Sequence, residues 1–554
     1  MGLQRDMYAM VGSKPVAPSN GATPIPDELP RFSPRETLFT MAGVLLVMLL
    51  ASLDQTIVGT ALPRMIADLK GFHEYTWVST AYLLTSTIVV PIYGKLSDLF
   101  GRKPILIIGV VLFLVGSVLS GAAQSMVQLI LFRGFQGIGA GALLPIALTV
   151  VGDLFTPRER GKWQGVTGAV FGLASILGPM FGGWITDTWT WRWIFYVNLP
   201  TGIVALMVLI YVMPRLRAKN HHVKIDVVGC ALMALGTVPI LLGLTWAGTF
   251  SPWMSWQVQS QVIGGLVILS LFFAYEARLE RKQAQPLLEP SLFRKSIFAV
   301  SLVATTLFGM GLFGCVAFLP PFLQAVVGDT ATNSGVLLMP LMLTAAVASM
   351  AAGQLVSRLG RYKWVAVGSM ALNVVGTYLL FRLDVHANWL DVVIAMLVLG
   401  PGMGVSMSLY PLVVQNALPQ KIGQATSALT FFRQIGATIG LAVMGSLMVS
   451  TFPQVFQSAL PTAVKNILPA GVLSQLSDPS RLLSPVTASS SSFLSSHTPQ
   501  TLAASQQLVE ATKLALAQSL HTVFTLCLCL MIAGLLTVVS LKEIPLRGTT
   551  PGKE

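Results

Sequence analysis

Charge is what this sequence has least of. Only 10% of its 554 residues are Asp, Glu, Lys or Arg, against about 25% in ordinary soluble chains. A water-exposed globular surface is therefore excluded. Cysteine is scarce: Cys230, Cys315, Cys527 and Cys529 all sit in apolar runs. They lack disulfide or metal-ligand spacing and read as small core residues. The six histidines are scattered, so no His/Cys metal set forms. There is no glycine loop for a nucleotide and no nucleophile elbow, and the sequence gives no ground for an enzyme or a receptor. A cleavable leader is missing too. Residues 1–37 are polar, contain Pro, Ser and Gly, and have no apolar core. They are expected to form a disordered cytoplasmic tail.

What fills the chain instead is apolar. Hydrophobic residues make up 54% of it, and the mean hydropathy is +0.72. Runs long enough to span a bilayer occur about fourteen times, at about 38–62, 76–97, 104–123, 127–154, 163–186, 194–213, 225–248, 258–279, 297–324, 333–356, 362–382, 390–415, 425–449 and 515–541. The fold class is an all-α polytopic membrane protein. The formal charge of +13 would suit nucleic acid, but its carriers are clustered in short loops between spans. The clusters are Arg158/Arg160/Lys162, Arg215/Arg217/Lys219/Lys224, Arg278/Arg281/Lys282/Arg294/Lys295 and Arg358/Arg361/Lys363. That is the positive-inside pattern. The charge reports topology and contact with anionic lipid, with no nucleic acid partner and both termini cytoplasmic. Residues 450–514, rich in Ser, Thr, Pro and Gln, form the one long loop and are expected outside, with modest helical stretches near Val464–Leu476 and Ala503–Leu516. They serve either as a linker or as a cap over the outer mouth.

The most informative stretch is the polar loop Gly94-Lys95-Leu96-Ser97-Asp98-Leu99-Phe100-Gly101-Arg102-Lys103-Pro104 between two apolar runs. Its glycines permit tight turning and close helix approach, and its basic residues mark it as cytoplasmic. Asp98 is the member that topology does not need. A degraded second copy, Gly353-Gln354-Leu355-Val356-Ser357-Arg358-Leu359-Gly360-Arg361, follows about 260 residues later. Gly161-Lys162-Trp163-Gln164-Gly165 and Gly423-Gln424-Ala425-Thr426-Ser427 repeat at nearly the same offset. The chain thus has two related halves, expected at 38–213 and 297–541. Two extra spans lie between them at 225–279, and a cytoplasmic tail covers 542–554. The faces of the extra spans carry almost no charge, so a structural or lipid-facing role is expected of them.

The loop resembles the one between the second and third helices of the major facilitator superfamily. Four further stretches resemble its fourteen-helix drug:proton antiporters. They are Leu53-Asp54-Gln55-Thr56-Ile57-Val58 through Pro63; Arg133-Gly134-Phe135-Gln136-Gly137-Ile138-Gly139-Ala140-Gly141; Gly172 with Gly178-Pro179-Met180-Phe181-Gly182-Gly183; and Trp191-Arg192-Trp193-Ile194-Phe195 through Asn198-Leu199-Pro200. The resemblance implies a secondary active exporter in the plasma membrane that exchanges protons for small amphiphilic compounds. It would need no cofactor beyond the proton gradient and would act as a monomer. An exporter dedicated to one metabolite, antibiotic or siderophore is the alternative. A sugar facilitator fits less well, because the loop after the sixth span lacks the acidic-proline pattern of that branch.

Individual residues then acquire candidate roles. A charge inside a bilayer costs several kcal/mol unless it is paired or hydrated, and Asp54 is the one carboxylate well inside an expected span. Arg133 lies at similar depth in the fourth span. The two form either a proton switch or a static ion pair holding two helices together. The resemblance supports proton coupling by Asp54. One carboxylate cannot balance a dication in a cavity that already holds Arg133, so lipophilic monovalent cations or neutral amphiphiles are expected over dications. Gln136 and Arg433 are candidate substrate-cavity residues. Arg433 has no acid at its depth in the second half, so it either bonds backbone carbonyls or meets an anionic substrate group. Gly172, Gly178, Pro179, Gly182 and Gly183 thin and bend the fifth helix, for packing or, as the resemblance implies, to seal a leak path. Gly94, Asp98, Gly101, Arg102 and Asp153 would form a latch. In it Asp98 sits at the helix N-terminus near Gly423–Ser427 and Arg102 pairs with Asp153, as the resemblance implies. No metal site is expected.

Overall fold

A backbone crossing hydrocarbon must satisfy its own hydrogen bonds, and this chain does so as helix. The computed structural model describes residues 33–69, 75–214, 226–247, 251–282, 284–322, 338–384, 387–461 and 499–546. Among these the only β feature is a single bridge between Ala247 and Ser251, and fourteen helices are long and apolar enough to cross a membrane.

The first half comprises α1 (Pro34–Leu69), α2 (Tyr75–Phe100), α3 (Arg102–Gly121), α4 (Met126–Leu154), α5 (Pro157–Thr188), the one-turn α6 (Trp193–Tyr196) and α7 (Asn198–Tyr211). The inserted pair is α8 (Val227–Trp246) and α9 (Trp256–Arg281), followed by a 3-10 turn at Pro290–Arg294. The second half comprises α10 (Ser296–Phe322), α11 (Met339–Leu359), α12 (Lys363–Phe381), α13 (Trp389–Ala417), α14 (Ile422–Ala459) and α15 (Pro499–Val539).

Local chemistry sets where these helices begin and end. Ser33 and Glu36 cap each other's backbone N–H groups around Pro34, so α1 starts inside the segment expected to be tail. Thr156 and Glu159 form the same box at α5, with Pro157 next to the cap, and Asn388 with Asp391 does so at α13. Gly360 closes α11 in the left-handed conformation, at φ 68°. The sixth span is broken at Val197. Pro200 has no N–H, so the Tyr196 carbonyl loses its ordinary helical donor. The break sets Asn198, fully buried, at the junction.

The expected loop at 450–514 is shorter than the composition suggested. α14 continues to Ala459 and α15 already begins at Pro499. Phe452 stacks on Phe456, and both are buried together with Leu460, Leu508 and Ala511. Apolar residues at helical spacing keep both helices packed beyond the expected spans. The Ala503–Leu516 stretch lies in α15, whereas Val464–Leu476 falls outside the described residues, as do residues 1–32 of the tail.

The packing repeats. In the first half α2 and α3 pack on α4, α1 packs on α5 and α7, and α3 reaches α7. In the second half α11 and α12 pack on α13, α10 packs on α14 and α15, and α12 reaches α15. Two seams join the halves, α5 on α11 and α2 on α14. The inserted α8 rests on α2 and α14 at one end of that second seam, while Val227, Leu235, Ile263, Val267 and Leu271 of the pair stay exposed, as a lipid-facing surface requires.

Candidate functional site

Asp54 on α1 is completely buried, and three side chains donate hydrogen bonds to it. Its Oδ2 accepts from Arg133 Nη1 on α4 at 2.9 Å. Its Oδ1 accepts from Gln136 Nε2 and from Asn198 Nδ2, both at 3.0 Å. Arg133 Nη1 also donates to Gln136 Oε1 at 2.7 Å, and its guanidinium lies 4.0 Å above the Tyr82 ring. Asn198 bridges onward to Ser117 Oγ at 3.0 Å, and Ser117 donates to the Phe195 carbonyl. α1, α2, α3, α4 and the α6–α7 junction thus converge on one carboxylate. A buried ion pair is tolerated only when its spare hydrogen-bonding positions are filled, and here Gln136 and Asn198 fill those of Asp54. Asp54, Arg133 and Gln136 are brought together as one cluster. Asn198 is a fourth member that the sequence reading quoted without a role. An Asn just inside a span passes for an interface residue, and only the break before Pro200 signals otherwise.

A second cluster lies at the opposite depth. Arg102 is fully buried at the start of α3. Its Nε donates to Asp153 Oδ2 at 2.7 Å, its Nη2 meets Asp98 Oδ1 at 2.6 Å, and its Nη1 donates to Ser97 Oγ at 2.7 Å. Asp98 Oδ2 accepts the backbone N–H of Gln424 at 3.0 Å, in the first turn of α14, where free amides and the helix dipole favour an anion. Gly101 stands at φ 94°, a conformation that only glycine adopts without strain. A Cβ on Gly94 would collide with Ser427 Oγ, so α2 and α14 touch backbone to side chain there. Lys103 caps the end of α7 by donating to the Ile210 and Met213 carbonyls at 2.8 and 2.7 Å. All five latch residues therefore meet, with Gln424 and Ser427 across the seam.

The glycines of α5 serve close packing against two partners. The helix runs unbroken through Pro179. Gly161, Gly165 and Gly172 face α11, meeting Gly353, Ser349 and Ala346, whereas Gly178 and Gly182 face Thr56 and Thr60 of α1. The helix changes partner between Gly172 and Gly178, leaving the second half for the first. Gly183 has nothing within 4 Å, and no contact accounts for it.

Arg433 stands apart from both clusters. Its backbone and Cγ lie against Gly309 of α10, its side chain is partly exposed, and it has no acidic partner among the described residues. Gln136 does not share its surroundings, being committed to Asp54. At the end of the bundle opposite the latch, Asp68 accepts from Arg192 Nη1 at 2.7 Å and Trp191 Nε1 at 2.9 Å. Those bonds hold its carboxyl below the usual range. Trp191 and Arg192 of the sixth-helix stretch thus tie down the end of α1. No group of three or more metal-ligating side chains occurs among the described residues.

Comparison with known proteins adds four findings. Residues 44–441 match the family model described as Major Facilitator Superfamily. The chain is 36% identical over 518 residues to the multidrug transporter protein MdtP of Bacillus subtilis, covering 93% of this chain and 94% of that one. It is 35% identical over 450 residues to multidrug resistance protein 3 of the same organism, covering 80% and 86%. Among solved structures, the human organic anion transporter MFSD10 superposes with a TM-score of 0.57 at 15% identity, over 90% of this chain and all of that one. That likeness bears on the fold alone.

Proposed function

This chain belongs to the Major Facilitator Superfamily, and we propose that it is a multidrug efflux transporter exchanging protons for small amphiphilic compounds. The names of its two Bacillus relatives support the substrate class. The observation that carries the coupling is the Asp54 cluster: a fully buried acid whose charge is matched by a single arginine. Proton and substrate occupy the place beside Asp54 by turns: protonating Asp54 releases its hold on Arg133, and the proton leaves to water when an amphiphile arrives. Proton binding from one side and substrate binding from the other become alternatives, which is antiport. One carboxylate in surroundings that already hold Arg133 cannot balance a divalent charge, so lipophilic monovalent cations or neutral amphiphiles are preferred over dications. Arg433 is assigned as the contact for an electron-rich substrate group.

By loop charge the latch end is cytoplasmic, with both termini on that side of the plasma membrane. In that orientation the two closed seams describe a carrier sealed toward the cytoplasm. Opening it breaks Asp98 from Gln424 and parts α5 from α11. The transporter acts as a monomer, powered by the proton gradient without a cofactor. Purified protein in proteoliposomes under an imposed pH gradient, screened against a chemically varied panel, tests the reading. Wild type should accumulate amphiphiles, and Asp54→Asn should bind them without gradient-driven accumulation. Accumulation by Asp54→Asn would remove Asp54 from the coupling, and ATP-dependent transport would remove the reading itself.

A further inference from the structure

The inserted pair holds two acids that antiport through Asp54 leaves without a task. Glu276 on α9 is fully buried. Its Oε2 accepts the Leu288 backbone N–H at 3.2 Å, whereas its Oε1 has no partner among the described residues. Asp226, the N-cap of α8, has the same asymmetry. Its Oδ1 accepts from the Gly229 N–H at 2.8 Å and the Tyr275 hydroxyl at 3.3 Å, and its Oδ2 has no partner among the described residues. The two spare oxygens crowd one point, since a Cβ on Gly229 would collide with both. Two bare carboxylates repel each other at such a spacing, and one proton between them both removes a charge and supplies the missing donor.

Among the described residues, Lys95 faces the pair from α2, Cys230 from α8 and Tyr275 from α9, and Asp98, Glu289 and Lys421 surround Lys95 in turn. Lys421 is engaged by Glu289, and Glu280 accepts the Ser291 N–H. Lys95, Asp226 and Cys230 share the wall of a cavity of about 10 Å³, the room of about one water. The pair is also joined to the latch. Glu276 holds Leu288, the adjacent Leu287 carbonyl accepts from Gln424 Nε2 at 3.0 Å, and the Gln424 N–H donates to Asp98.

We propose that Asp226 and Glu276 bind one proton between Glu276 Oε1 and Asp226 Oδ2, and that this proton clamps the inserted helices onto the latch. When it leaves to water, two like charges remain face to face. Glu276 turns toward Lys95, gives up the Leu288 N–H, and the linker loosens its hold on Gln424. The latch therefore opens more readily as the pH on its side rises. The inserted helices are the pH-sensing part of the latch rather than lipid-facing filler.

Infrared titration of the purified protein from about pH 5 to about pH 9, where buried carboxyls lose their protons, tests the site without any transported substrate. Its failure is thus separate from failure of the antiport reading. Wild type should show a carboxylic-acid C=O band, separate from any due to Asp54, that is lost in Glu276→Gln and in Asp226→Asn. Glu276→Gln imitates the protonated state, because its amide donates to Asp226 while its oxygen keeps the Leu288 N–H. In proteoliposomes it should still transport, with the dependence on latch-side pH flattened. A band unchanged in both variants overturns the proposal, as does an unchanged pH dependence in Glu276→Gln. A metal cation between two bare carboxylates would leave no such band and would also overturn it.

Discussion

Arg133 is held by Asp54, by Gln136 and by the face of Tyr82, and its removal leaves Asp54 buried with a full charge. Arg133→Ala should therefore cost about 3–5 kcal/mol of stability, read as a lowered unfolding temperature in detergent. Adding Asp54→Asn to that variant should recover part of the loss, because the uncompensated charge is then gone. A double variant no more stable than Arg133→Ala would mean that Arg133 acts by packing alone. Asp54 and Arg133 were conspicuous in the sequence because a charge inside an apolar run has no solvent to face. Glu276 was not, since it lies near the end of the expected 258–279 span, with Arg278, Glu280, Arg281 and Lys282 just after it, and passes for an acid at the membrane surface. Its burial depends on α9 running on to Arg281 and on the linker folding back over it. Neither is written in hydropathy.

At the scale of single helices, glycine decides which partner each face can approach. Gly178→Ala and Gly183→Ala should behave oppositely on the same helix. The first drives a methyl group into Thr56 and should cost about 1–3 kcal/mol as an overpacked contact. The second meets open space and should be neutral, or stabilise by up to about 1 kcal/mol through helix propensity. Thermal unfolding of the two variants distinguishes them, and equal losses would restore a special role to Gly183. Gly101→Ala in the latch should strain the φ 94° turn by about 1–2 kcal/mol and lower transport at unchanged expression. The latch partners came from the family resemblance and not from spacing, whereas helix number was legible because length and apolarity are local properties. The reach of α14 and α15 beyond their apolar runs was not, because Phe452 and Phe456 acquire their meaning only from each other and from α15. The division of the α5 glycines between α11 and α1 is likewise a property of three helices at once.

For the whole molecule, the two seams and the positive-inside charge make separate claims. Cysteine at Thr190 should react with an impermeant thiol reagent in intact cells. Cysteine at Arg361, exposed at the latch end, should react only after permeabilisation. The reverse pattern would invert the carrier and with it the side on which Asp226 and Glu276 sample pH. Alternating access makes the stronger demand. α5 and α11 are in backbone contact at Gly161 and Gly353, and beside that contact Lys162, Gln354 and Arg358 line an open cleft of about 600 Å³. If transport needs this seam to part, a tether across the cleft must stop it, although neither tethered residue touches Asp54. Cysteines replacing Lys162 and Gln354, joined by a short cleavable bis-maleimide, should abolish gradient-driven uptake into proteoliposomes while substrate still binds from the opposite face. Cutting the linker should return the rate to that of the unlinked double variant. Uptake that continues with the tether in place would show that the halves do not separate at α5 and α11, and the latch would then be a structural joint rather than a gate.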